Sequence, residues 1–84
     1  NELYHISEDI LRKQQLDFSL LAPLIKETAN KIEYLTAAQA QTGPAKRGDK
    51  KTIQTHQGLL TAQQQEVYQL LTRSIQKRNI SQDE

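Results

Sequence analysis

Along this chain of 84 residues the apolar side chains recur every three or four positions, and between the first helical stripe and the last the rhythm is broken most plainly at QTGPAKRGD, residues 41–49. A repeat near 3.6 is that of a helix burying one stripe, whereas a half-buried strand needs a repeat of two. Nothing here alternates with period two, so no strand is expected. The fold class that follows is all-α, with about four helices and one irregular insertion.

The first helix is expected over residues 1–14, with Leu3, Ile6 and Ile10 on one stripe, Tyr4 and Leu11 beside it, and Arg12 and Lys13 in the last turn, where cations suit the helix dipole. The chain opens directly on this periodic segment and reads as a fragment that begins inside a helix. Asp17 then caps a second helix running to Ala40, on which Leu21, Leu24, Ile25, Thr28, Ile32 and Leu35 keep helical spacing. Pro23 marks either a kink or the true start of that helix after one preliminary turn. Beyond residues 41–49, Asp49 is placed to cap a third helix over 50–60, with Ile53, His56 and Leu60 inward and Gly58 near its end. Thr61 and Gln64 form a capping box for a fourth, whose stripe of Val67, Leu70, Leu71, Ser74 and Ile75 leads to a polar tail, QKRNISQDE. Tyr4 and Tyr68 are expected at the rim, hydroxyls in water.

The length bounds the chain to one small domain with a thin core. Eleven basic and ten acidic residues leave a net charge of +1, too little to draw in nucleic acid or an anionic membrane. The absence of cysteine excludes a disulfide framework and thiolate chemistry and fits a cytoplasmic location. No apolar run is long enough for a signal or spanning helix.

Three tempting motifs lie in and around residues 41–49. Gly43 and Gly48 make a G-x-x-x-x-G followed by Lys50, Lys51 and Thr52, but a phosphate loop needs Lys directly after the second glycine and a strand before the first. Here Asp49 stands in the lysine's place and a helix comes first. Arg47–Asp49 spell an adhesion tripeptide, a coincidence in a chain with no sign of secretion. His5 and His56 lack further ligands nearby, so no metal site is expected, and His56 is expected half-buried and hydrogen-bonded. What is left is Lys46 and Arg47, two cations beside glycine-enabled turns. They either present charge and backbone N–H groups to one small anion or are solvated charges next to a capping aspartate.

The block AQTGPAKRGD, with LDFSLLAPLIKET before it and TIQTHQGLL after it, resembles the C-terminal helical domain, of unknown function, of Rossmann-like NADP-dependent oxidoreductases. Those enzymes are related to pyrroline-5-carboxylate and ketopantoate reductases and to 6-phosphogluconate dehydrogenase, whose C-terminal domain supplies the implied fold. The resemblance spans nearly the whole chain and is most specific from Thr42 to Asp49. It implies that the domain dimerises and that its 41–49 segment faces the cleft of the nicotinamide ring. Thr42, Gly43, Lys46, Arg47 and Asp49 are then the cleft positions, the cations and Thr42 toward substrate or cofactor and Asp49 holding the segment. The glycine-rich fingerprint and its βαβ unit are absent, so no cofactor is expected in this chain and NADP(H) is implied for the full-length protein. The implied partners are a second copy and a Rossmann domain outside these 84 residues, with no nucleic acid and no membrane. The alternative is a freestanding helical interaction module, in which 41–49 is only a connector.

Overall fold

A computed structural model describes residues 1–83, the side chains of 80–83 excepted. Among the described residues there are six α-helices, one 3-10 turn and no strand, the all-α class expected. They group into two compact units, Asn1–Ala40 and the chain from Gln41 onward.

In the first unit, α1 spans Glu2–Lys13. It closes on Gln15, which takes a left-handed φ of 60°, so that Gln15 N donates to Arg12 O and Leu16 N to Leu11 O at 3.0 and 2.9 Å. This is the double closure usually given to glycine. The Asp17 carboxylate accepts from Ser19 N at 2.8 Å and opens a 3-10 turn, Phe18–Leu21, from which α2, Ala22–Lys31, continues with Pro23 in its first turn. Of the two roles open to Pro23, the start after a preliminary turn is the one realised; there its missing N–H costs nothing. Phe18 meets Tyr4 edge to face, ring centres 6.5 Å apart, and an apolar groove of about 350 Å³ is lined by Tyr4, Ser7, Leu21, Leu24, Ile25 and Ile32, among others.

The second helix does not reach Ala40 unbroken. Past Lys31 the bonds tighten to a turn, Tyr34 N donating to Lys31 O, over a run in which β-branched and aromatic residues weaken helical preference. Thr36 and Gln39 then cap each other reciprocally, at 2.9 and 3.1 Å, and start α3, Ala37–Ala40. A capping box defines a beginning, so the helix before it must already have ended.

In the second unit, α4 is a single turn, Pro44–Arg47, α5 is Lys50–Gly58 and α6 is Ala62–Asp83. The capping box of Thr61 and Gln64 forms as expected, at 3.1 and 3.2 Å. The expected tail is instead helix as far as Asp83, because no glycine or proline follows Gly58 to stop it; Glu84 lies outside the described residues. The face of α6 also differs from the stripe expected. Leu70 and Leu71 are 60% and 45% exposed, while Gln65, Tyr68, Thr72, Ile75, Gln76 and Asn79 are half-buried at helical spacing. Hydrogen bonding explains the rotation. Gln65 Nε2 donates to Gln57 O, in the last turn of α5, and to Leu60 O, just past its end, and Tyr68 shares its hydroxyl with His56. The core is as thin as the composition suggests: Ala45 and Ile53 are the only buried apolar residues among those described.

Candidate functional site

Residues 41–49 are more regular than an open connector. Gly43, at φ 102° and ψ 177°, lies in a region essentially closed to side-chain-bearing residues, and it turns the chain so that Pro44 occupies the first position of α4, where its fixed φ is already helical. Gly48 ends the turn in the left-handed conformation, φ 68°. Its N–H donates to Ala45 O at 3.3 Å and that of Asp49 to Pro44 O at 2.9 Å, the same double closure that Gln15 makes for α1. Ala45 points its methyl inward at 7% exposure.

Asp49 then caps α5. Its Oδ1 accepts from Thr52 N at 3.1 Å and its Oδ2 from the Thr52 hydroxyl at 2.7 Å. One residue therefore finishes α4 with its N–H and begins α5 with its carboxylate, and α4 and α5 are joined without a spare residue. The Thr52 hydroxyl and N–H, with the Arg47 guanidinium beside them, hold the Asp49 carboxyl below its ordinary range. Arg47 Nη2 lies 3.6 Å from Asp49 Oδ2, and the Arg47 side chain is 60% exposed. Thr42 is exposed, and its carbonyl accepts from Gln41 Nε2 at 2.8 Å. Lys46 is half-buried, and its carbonyl accepts from Asn79 Nδ2 at 2.9 Å.

All five residues marked out in the sequence thus fall on one short segment, with Lys46 and Arg47 in the last turn of a helix and not on a loop. The arrangement disposes of two motifs. A helix, α3, precedes Gly43 where a phosphate loop requires a strand, and both oxygens of Asp49 are engaged by Thr52, so the Arg-Gly-Asp run is a cap and not a displayed adhesive tip. Two further residues, Thr52 and Asn79, take part beside those five. Thr52 could have been found from its place three residues after Asp49, the spacing of a cap and its target; Asn79 has no local signal at all, since its partner lies 33 residues back.

Elsewhere the histidines are accounted for. His5 Nε2 sits 3.7 Å from Asp9 on exposed helix surface. His56 is half-buried as expected, its Nδ1 hydrogen-bonded to the Tyr68 hydroxyl at 2.8 Å with the rings edge to face. The Tyr68 hydroxyl is therefore not a rim group in water, and burial raises its pKa. Among the described residues no three potential ligands gather to hold a metal ion, and no helix is long and apolar enough to cross a membrane. From Gln41 to Asn79 seven cations stand against two acids, so this stretch carries a positive balance although the whole chain is nearly neutral.

The family model described as Domain of unknown function (DUF2520) matches residues 1–75. The crystal structure of a "putative NADP oxidoreductase" from Bacteroides fragilis matches at a TM-score of 0.89 and 41% identity, over 93% of this chain and 31% of that one. The present chain thus spans about a third of that protein's length. No curated protein sequence matches.

Proposed function

On the premise that the chain belongs to the DUF2520 family, we propose that it is the helical domain of an NADP-dependent oxidoreductase, supplying the dimer interface and one wall of the substrate cleft. The observation that carries this is the structural likeness, at 41% identity over nearly the whole chain, to a protein described as an NADP oxidoreductase. The residues present do not themselves fit a dinucleotide: a Rossmann site needs a strand, a glycine-rich turn and a helix N-terminus in succession, and Gly43 and Gly48 bracket a single helical turn instead. Cofactor binding belongs, in this reading, to a partner domain of the longer protein.

The role left to this chain is to hold the substrate. Arg47 presents a planar fork able to make two parallel bonds to a carboxylate or phosphate, with Lys46 beside it in the same turn. Arg47 is oriented by Asp49, yet an exposed ion pair is worth under about 1 kcal/mol. An incoming oxyanion displaces that contact at small cost and inherits a guanidinium already aimed. The double closure of α4 supplies the rigidity that such positioning requires. Asp49 and Gly43 hold the turn, and Thr42 borders it.

In the full-length protein, Arg47→Ala raises KM for an anionic keto or imino acid at least about tenfold, the value of one charge-assisted bond pair, and leaves NADPH affinity within about twofold. Unchanged substrate kinetics would demote Arg47 to a surface charge. A reading frame upstream of Asn1 without a strand and glycine-rich turn would remove the oxidoreductase reading altogether and favour the freestanding interaction module.

A further inference from the structure

From the geometry of α4 we infer that Asn79 is a positioning residue for the Lys46–Arg47 pair, an inference that rests on the substrate-holding role proposed for that turn. A single helical turn has no stability of its own, because nucleation fixes several residues for one hydrogen bond. Its own closing bonds and the Arg47–Asp49 contact shape the turn, but the placement of its backbone also depends on contacts from outside. The carbonyls of the turn show how. Gly43 O accepts from Arg47 N, Pro44 O from Asp49 N and Ala45 O from Gly48 N, at 3.1, 2.9 and 3.3 Å. Lys46 O, next in line, accepts from the Asn79 amide at 2.9 Å. This carbonyl belongs to the peptide joining Lys46 to Arg47, so the bond fixes the backbone from which both cations project.

Asn79 is half-buried on the face of α6 that also carries Ile75 and Gln76, and α6 is a continuous helix on either side of it. The tie thus references the cation-bearing turn to the longest rigid element of its unit. The main-chain bonds around Gly48 and Asp49 close the turn upon itself; α4 also packs on α6, with the Ala45 methyl buried, and the Asn79 bond adds to that packing a directional contact at the peptide that carries both cations.

The test uses the full-length protein with acetate and inorganic phosphate as oxyanion probes, and compares Asn79→Ala, Asn79→Gln and Arg47→Ala. Loss of one neutral hydrogen bond corresponds to roughly fivefold in an equilibrium. Asn79→Ala should therefore speed amide exchange at Arg47, Gly48 and Asp49 about fivefold and weaken binding of the probes by a similar factor. Asn79→Gln, which keeps the donor, should recover most of both. Unchanged exchange at the three amides would overturn the inference. So would faster exchange with probe affinity unaltered in a protein whose probe binding Arg47→Ala abolishes, since Asn79 would then be a structural tie alone. If neither probe binds the unaltered protein, the substrate-holding role of Arg47 fails, and the positioning role with it; the exchange rates still report whether the Asn79 tie exists, which keeps the two failures distinct.

Discussion

Gln15 and Gly48 occupy equivalent positions at the ends of two helices, and the chain has placed an ordinary residue at one and glycine at the other. Both have left-handed φ, 60° and 68°, a conformation that costs a side-chain-bearing residue about 1 kcal/mol. A methyl built on Gly48 meets nothing within 4 Å, so only the backbone term operates there. Gly48→Ala should destabilise by about 1 kcal/mol and Gln15→Gly should stabilise by up to about the same amount, the pair of opposite signs being read by denaturant unfolding. Asp49 adds a pH dependence. Its folded-state pKa is depressed, so its contribution is fully present above the unfolded carboxylate value near 4 and is lost as pH falls through the lower folded value. Melting temperature should fall between pH 5 and 2 more steeply in the unaltered protein than in Asp49→Asn, in which no carboxylate remains to be protonated; parallel curves would mean that the cap contributes nothing to acid sensitivity.

Helix ends in this chain are set by side-chain oxygens and amides, and this decides what the sequence disclosed. Asp17, Asp49 and Thr61 each act within three residues of themselves, and all three starts were legible. The break after Lys31 was written just as locally, in Thr36 and Gln39, but the apolar repeat of Ile32 and Leu35 runs straight across it, and periodicity does not register a stop. The face of α6 was misread for a different reason. Its inward residues include Gln65, Tyr68 and Asn79, which hydrogen-bond to α5, to the residue just past it and to α4, and a search for apolar stripes passes over polar groups half-buried in this way. The cation turn was legible because glycine, proline and aspartate mark its ends; its anchor was not, because that bond spans two helices. The union of α5 with α6 carries its own prediction. Tyr68→Phe removes the partner of the half-buried His56 Nδ1 and should cost about 1 kcal/mol, measured by denaturant unfolding, with the unfolding slope unchanged.

At the scale of the molecule the feature that weighs most is how little is buried. Leu3, Leu20, Leu24, Ile32, Leu59 and Leu70 are each more than half exposed. Two of them, Leu24 and Ile32, line the apolar groove of the first unit, and an exposed apolar patch of that kind is where a second surface would seat if the proposed dimer forms there. Light scattering of the protein at micromolar concentration should give twice the chain mass, and Leu24→Asp, at the groove beside α2, should shift the distribution toward monomer; a single-chain mass undiluted to high concentration would speak for a freestanding module instead. The two amides of α6 set a further limit. Gln65 and Asn79 stand fourteen residues apart, about 21 Å of helix, and nearly in line because four turns take 14.4 residues. One residue inserted between them would swing one anchor about 100° from the other, freeing either the end of α5 or the cation turn. Substitutions along that stretch are a matter of degree, but its length is a fixed gauge, and natural variation there should run to changes of residue and never of number.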